Sequence, residues 1–250
     1  MKKTAFLGGG KIGRSMLKHV QESGKAEVMF VYDPFLNQTD IDGVPVVSEV
    51  KEKMLKGLDL VVECANADVV SQFIVRVMKY TDFMPFSMTA FRDDALRASA
   101  KAAAEENGHT IYLPHGAILG LDGIFDGRSE LTEVTIETIK SPASLGRNDT
   151  EYTVLYDGPS RKATELYPRN VNVHAAIALA GIGFDKTHSR IIADPSVNTN
   201  THLIHLLGKG IDFTIRVSSF SEGGVTGKYT PLSACGSLDR VLGGTGFQFV

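Results

Sequence analysis

Residues 1–20 read MKKTAFLGGGKIGRSMLKHV. A short apolar run ends in Gly8, Gly9 and Gly10, and Gly13 follows. Glycine loses more backbone freedom on folding than any other residue, so such a cluster needs a use. Gly8, Gly10 and Gly13 satisfy the spacing G-x-G-x-x-G, which alone is a weak signal because strand-to-helix turns also take glycine for packing. The context strengthens it. An apolar strand precedes the glycines, Met16, Leu17 and Val20 follow at helical spacing, and Gly24 supplies a stop. Asp33 then closes the next apolar run, AEVMFVYD. This is the arrangement of a dinucleotide site. Gly8 permits the turn, Gly10 lets a pyrophosphate approach, and Gly13 lets helix and strand pack closely. The N-terminus of the helix, beginning at Lys11 and Ile12, turns free N–H groups and a positive dipole toward the phosphates. Asp33 is placed to accept hydrogen bonds from the adenosine ribose and would repel a 2′-phosphate. The following PFLNQ holds no lysine or arginine, so NAD is expected over NADP. Cys64 and Ala65, closing the apolar run LDLVVECA, are placed to approach the same cofactor. For Cys64 a buried small hydrophobe is the alternative.

Working outward, apolar strands alternate with amphipathic helices as far as residue 114, the last expected strand being HTIYLP at 109–114. Continuous apolar strands alternating with helices predict a parallel sheet covered on both faces. The pattern then changes. LTEVTIETIK alternates in period two, TEYTVLY and SRIIAD read as extended, and NVNVHAAIALAGIG reads as a helix. THLIHLLGKGIDFTIRVSS reads as a hairpin turning at residues 208–210. The expected fold class is therefore α/β: a Rossmann-type parallel-sheet domain at 1–114, then an α+β domain with a mixed or antiparallel sheet at 115–228. Residues 229–250 form a last helix and tail, expected to return to the first domain, with Pro231 in the first turn of the helix.

The totals narrow the classes. The chain has 250 residues, 43% of them hydrophobic and 22% charged, enough for a real core. Its net charge of -3 offers no general attraction to nucleic acid or to an anionic membrane. No apolar run reaches membrane-spanning length, and the first breaks too early for a signal peptide. Two cysteines, Cys64 and Cys235, make neither a disulfide framework nor a metal-ligand spacing. The expectation is a cytoplasmic protein with reduced thiols and no metal.

At PHGAILGLDGI, YPRNVNVHAAIALAGIGFDKT and IIADPSVNTNTH the chain resembles the L-aspartate dehydrogenase family, collinearly and over essentially its whole length. The resemblance implies a Rossmann domain followed by an α+β domain, dimers formed through the second domain's sheet, and a substrate cleft between the domains. It implies interconversion of L-aspartate with oxaloacetate and ammonia through iminoaspartate, using NAD or NADP. In some organisms that imine is thought to feed NAD biosynthesis. It also implies that His202, in the N-T-H motif, is the catalytic histidine. The chain departs from the family pattern at His115 and His174, where small residues are usual. It departs again in SMTAFRDD, which brings Met88 and Phe91, and in the run GKYTPLSACGSL. Such changes are expected to reshape the substrate pocket.

Oxidising an amino acid to an imine requires proton transfers at nitrogen and water, work suited to a histidine titrating near neutral pH. Of seven histidines, His19, His109, His188 and His205 read as surface or structural. His202 precedes the hairpin and shares a face with Ile204, so it is the expected general acid/base. His115 and His174 are divided between pocket and packing, and are expected to shape a pocket rather than act as the base. Lys140, closing ETIK, and Arg169 are candidate partners for substrate carboxylates, against solvated alternatives. Asn170 and Asn172 sit at a helix start, where capping is the default and carboxylate binding the alternative. Two rival readings use the same residues. One is a dehydrogenase or imine reductase for another amino acid. The other is a non-catalytic NADH sensor.

Overall fold

The computed structural model describes residues 1–220 and 227–243. The end of the expected tail, 244–250, lies outside the described residues. The chain divides into two compact units, residues 1–114 with 231–250, and 115–230.

The first unit is built on strands β1 (Lys2–Leu7), β2 (Ala26–Tyr32), β3 (Asp40–Ile41), β4 (Val44–Val47), β5 (Leu60–Glu63) and β6 (Asp82–Pro85). They lie in the order β3-β4-β2-β1-β5-β6. All neighbours pair in parallel except the short β3, which runs antiparallel to β4. The chain builds outward from β1 toward β2 and β4, then returns to build β5 and β6 on the other side. Such a switch point leaves a crevice at the carboxyl ends of β1 and β5, where ligands of open α/β sheets bind. Helices α1 (Lys11–Ser23), α2 (Glu52–Leu55), α3 (Ala67–Val77) and α4 (Asp94–Asn107) connect the strands. Asn66 and Asp93 cap α3 and α4 by accepting N–H bonds. Phe6, Met16, Leu17, Val20, Val62 and Met84 form the core.

Residues 109–114 do not form the expected strand. Their contact with the sheet is an isolated bridge, Phe83 to Ile111. Between β4 and β5 the alternation supplies only a single helical turn, α2.

The second unit carries α5 (Leu121–Gly127), β7 (Leu131–Lys140), β8 (Thr153–Pro159), α6 (Ser160–Leu166), α7 (Asn172–Ala180), β9 (His188–Ala193), β10 (Thr199–Gly208) and β11 (Ile211–Phe220). The strand order is β11-β10-β7-β9-β8. Only β7 and β9 pair in parallel, so the sheet is mixed. Along β7 the residues Val134, Ile136, Thr138 and Lys140 are buried, while Thr135, Glu137 and Ile139 on the opposite face are half-exposed. The period of two thus sets a buried face that turns polar at its end. Helices α5 and α6 were not legible as helices from periodicity. A last helix, α8 (Tyr229–Leu242), sends Ala234, Leu238 and Leu242 into the core of the first unit. His19 and Lys25 hold its Asp239 at 2.9 and 2.7 Å.

Candidate active site

In the first unit the glycines are held by contact rather than by composition. Gly8 has a φ of +117°, and a side chain there would meet the backbone of Cys64 and Ala65 at 2.9 Å. A Cβ on Gly13 would strike the carbonyl oxygen of Gly8 at 2.3 Å. Gly10 is the exception, since a Cβ there would meet nothing within 4 Å. It is the N-cap of α1, no side chain caps that helix, and no acidic residue lies in its first turn. An open approach to uncapped helix N–H groups fits a pyrophosphate. Lys11 and Ile12 follow as the first residues of the helix.

Asp33 accepts the Gly9 N–H at 3.0 Å through Oδ2 and the Phe35 N–H at 3.1 Å through Oδ1. Each oxygen keeps a lone pair for a ribose hydroxyl. The residue that sequence reasoning missed is Arg14. It comes from the first turn of α1, donates from Nε to the Gly9 carbonyl at 3.0 Å, and donates to Gln38 Oε1 at 2.7 Å. A cation therefore stands beside the loop that follows Asp33, although that loop contains none.

Cys64 lies beneath the glycine loop. Its thiol donates to the Gly8 carbonyl at 3.2 Å, and burial, with Glu63 and Asp33 nearby, pushes its pKa up. Ala65 gives its N–H to Glu63 Oε1 at 2.7 Å. Glu63 was also unread. It is fully buried at the end of β5 and accepts the N–H groups of Phe86 and Ser87 and the Ser87 hydroxyl as well. Burial outweighs these four donors and raises its pKa to about 7. Met88 and Phe91 are buried in the turn Met88–Arg92, within this unit's core.

In the second unit His202, only 6% exposed, lies opposite Thr138 in the β10–β7 ladder. Its Nδ1 sits 2.8 Å from Thr138 Oγ1. Thr138 Oγ1 is also 2.7 Å from His174 Nε2, and His174 Nδ1 is 2.8 Å from Ser189 Oγ. Ser189 Oγ in turn is 2.6 Å from Ser160 Oγ. Lys140 stands two residues beyond Thr138 on the same face, 3% exposed. Burial lowers its pKa to about 8. Burial, then the charge of Lys140, lowers His202 to about 3. Burial, then His202 and Lys140, holds His174 well below the usual histidine range. The expectation of a near-neutral titration is corrected for the free protein: a dry face beside a cation keeps both rings neutral at pH 7.

The remaining candidates are scattered. His115 is half-buried, with Nδ1 2.7 Å from the Ile118 carbonyl oxygen, and stacks on Tyr229. Arg169 is exposed. The cap position of α7 is Val171, which has no side-chain cap bond, so Asn170 does not take the expected capping place and Asn172 is the first helical residue. The Asn170 Oδ1 atom is buried without a hydrogen-bond partner. Among the described residues no group of three or more His, Cys, Asp or Glu side chains is placed to hold a metal ion.

A glycine loop at the switch point of a parallel sheet, with an uncapped helix start and the Asp33 carboxylate beside it, is the build of the dinucleotide-binding oxidoreductases. Residues 8–114 match the family described as "Homoserine dehydrogenase, NAD binding domain", and residues 124–241 match "Aspartate dehydrogenase, C-terminal". The L-aspartate dehydrogenase of Methanococcoides burtonii is 35% identical over 96% of this chain and 97% of its own. That of Nitrosopumilus maritimus is 33% identical over 96% of each. The crystal structure of aspartate dehydrogenase from Thermotoga maritima superposes with a TM-score of 0.80 at 28% identity, covering 97% of this chain and 95% of that one. The chain belongs to the L-aspartate dehydrogenase family. A homoserine dehydrogenase from S. aureus, at 11% identity and a TM-score of 0.59, shares the fold alone.

Proposed function

We propose that the protein is an NAD(P)-dependent L-aspartate dehydrogenase, interconverting L-aspartate with oxaloacetate and ammonia through iminoaspartate. The observation that carries this reading is the pairing of buried Lys140 with buried His202 on one face of the second sheet, in a chain of this family. The cofactor, when bound, supplies the nicotinamide that takes or gives the hydride. The chain's own residues do the rest. Gly8, Gly10, Gly13 and the start of α1 hold the pyrophosphate, and Asp33 the ribose. Lys140 offers a desolvated ammonium to a substrate carboxylate, and a negative partner would raise its pKa again. His202 Nε2, which has no partner among the described residues, faces the substrate nitrogen and the water that adds to the imine. Replacing solvent by these fixed groups strengthens each electrostatic contact.

NAD is the preferred cofactor because of Asp33, with NADP admitted through Arg14. The protein is read as cytoplasmic and as a homodimer formed through the face of the second sheet opposite His202, where Ile139 and Leu203 are half-exposed. His202→Ala should lower kcat by roughly 10²–10⁴-fold while NADH binding, followed by fluorescence, is unchanged. A near-normal kcat overturns the role. NADH oxidation with ammonia should turn over oxaloacetate from a panel of 2-oxo acids. Tight NADH binding with no turnover across the panel would replace this reading by a sensor.

A further inference from the structure

Four polar side chains form with His202 one unbranched hydrogen-bonded row: Ser160, Ser189, His174, Thr138, His202, drawn from α6, β9, α7, β7 and β10. Ser160, Ser189, Thr138 and His174 are sealed from solvent. A row of this kind has a direction. Each hydroxyl owns one proton, and each neutral imidazole carries one N–H. Both rings are neutral, so their tautomers follow from how those protons are shared.

Of the four tautomer combinations, three keep all four contacts hydrogen-bonded; His174 Nδ1–H with His202 Nε2–H would leave two bare nitrogens facing the single Thr138 proton. If the row donates toward Ser160, then Ser160 ends with an O–H that has no acceptor among the described residues. If both rings donate to Thr138, its own O–H is stranded in the same way. If the row donates from Ser160 toward His202, every buried proton is used: Ser160 to Ser189, Ser189 to His174 Nδ1, His174 Nε2–H to Thr138, and Thr138 to His202 Nδ1. A buried donor left unmade loses its solvation without return, so the third arrangement wins. It fills His202 Nδ1 with an incoming proton and places the ring's own hydrogen on Nε2.

We infer that Thr138 and His174 are positioning residues that hold resting His202 as the neutral Nε2–H tautomer, a hydrogen-bond donor toward the substrate. This rests on the reading of His202 as the acid/base group. It adds that the free protein is poised to donate a hydrogen bond to an imine nitrogen or carbonyl oxygen. To accept a proton at Nε2, His202 must first take the Nδ1–H form, which strands the hydroxyl proton of either Thr138 or Ser160.

The test reads the rings directly. The full chain, labelled with ¹⁵N at its histidine rings and free of cofactor, is recorded at pH 7.5 by long-range ¹H–¹⁵N correlation, with His174→Phe and His202→Asn to assign the signals. Both rings should show a protonated Nε2 and a bare Nδ1. Two Nδ1–H rings, or Nε2–H for His174 with Nδ1–H for His202, would overturn the inference. Thr138→Val, which keeps the shape and removes the hydroxyl, should give His202 a mixture of tautomers and lower kcat about tenfold or more with NADH binding unchanged. Thr138→Ser should restore both. An unmixed His202 in Thr138→Val also overturns the inference. Should that variant not fold, the tautomers of the unmodified chain still decide. Failure of the catalytic reading is distinct: His202→Asn would then keep its turnover whatever the tautomers are.

Discussion

Each unit buries a strongly perturbed acid or base, Glu63 in the first and His202 in the second, and the two are built on opposite plans. Glu63 in the first unit is met only by donors, three backbone N–H groups and one hydroxyl. His202 and His174 in the second unit are joined through hydroxyls that both give and take. A shell of donors is suited to a negative charge, yet burial still draws Glu63 up to about 7. A row of hydroxyls favours no charge, and with Lys140 beside it His202 falls to about 3. Desolvation wins in both places and drives both toward neutrality. The carboxylate ties the end of β5 to the residues just after β6, whereas the rings are left free of charge and able to carry direction.

This contrast fixes two pH dependences of opposite sign. Glu63 has a folded pKa raised above its unfolded value of 4.5, so its stabilisation is complete below 4.5 and is lost as pH rises through about 7. His202 has a folded pKa lowered from 6.5, so its stabilisation is complete above 6.5 and is lost as pH falls toward 3. At about 1.4 kcal/mol per pKa unit, the loss in the second unit amounts to a few kcal/mol, and His174 adds to it in the same direction. Amide exchange corrected for intrinsic rates should show β7 and β10 losing protection from pH 6.5 downward, while β1 and β5 gain from pH 7 to 4.5. Protection that falls together in both sheets over that window would erase the distinction.

A smaller effect separates the shells themselves. Glu63→Ala strands four donors at the end of β5, and each orphaned buried group costs about 1–3 kcal/mol. The first unit should therefore lose at least ~2 kcal/mol, seen as a lower urea midpoint with NADH affinity reduced. Glu63→Gln keeps an acceptor and should cost less than half as much, while abolishing the rise of β1 and β5 protection toward acid. Equal losses in the two variants would mean that the donors are satisfied without the carboxylate.

The two centres also differ in how far the sequence announces them. The glycine loop and Asp33 were legible because their partners are near in the chain and their spacing follows one strand, one turn and one helix. His202 was legible from its place at the hairpin and from family likeness. The row behind it was not, because residues 138, 160, 174, 189 and 202 meet only once five elements pack. His174 alone in an alanine-rich helix gives no hint of Ser189. Glu63 was hidden within an apolar run, where alternation and charge give no signal for a carboxylate fed by turn amides. Helix α6 was missed although Pro159 just before SRKATEL is a start signal. Residues 109–114 have a strand's composition, yet make only one bridge to β6.

The smallest expected effect concerns the cofactor end of the first unit, where Asp33 and Arg14 bring opposite charges to one loop. Looking only C-terminal to Asp33 leaves no cation for a 2′-phosphate, and that predicts a preference for NAD. Arg14 instead enters from α1 and reaches Gln38 in the loop after Asp33. An exposed guanidinium contributes about 1 kcal/mol or a little more to a phosphate contact. Arg14→Ala should thus weaken NADPH by roughly tenfold and leave NADH within about threefold, since NADH presents no charge there. Asp33→Ala should act in reverse, weakening NADH and narrowing the gap to NADPH. Fluorescence titration of both cofactors against the three proteins measures all six affinities. If Arg14→Ala lowers the two cofactors equally, the arginine serves only the Gly9 carbonyl that it also holds at 3.0 Å, and the preference rests on Asp33 alone.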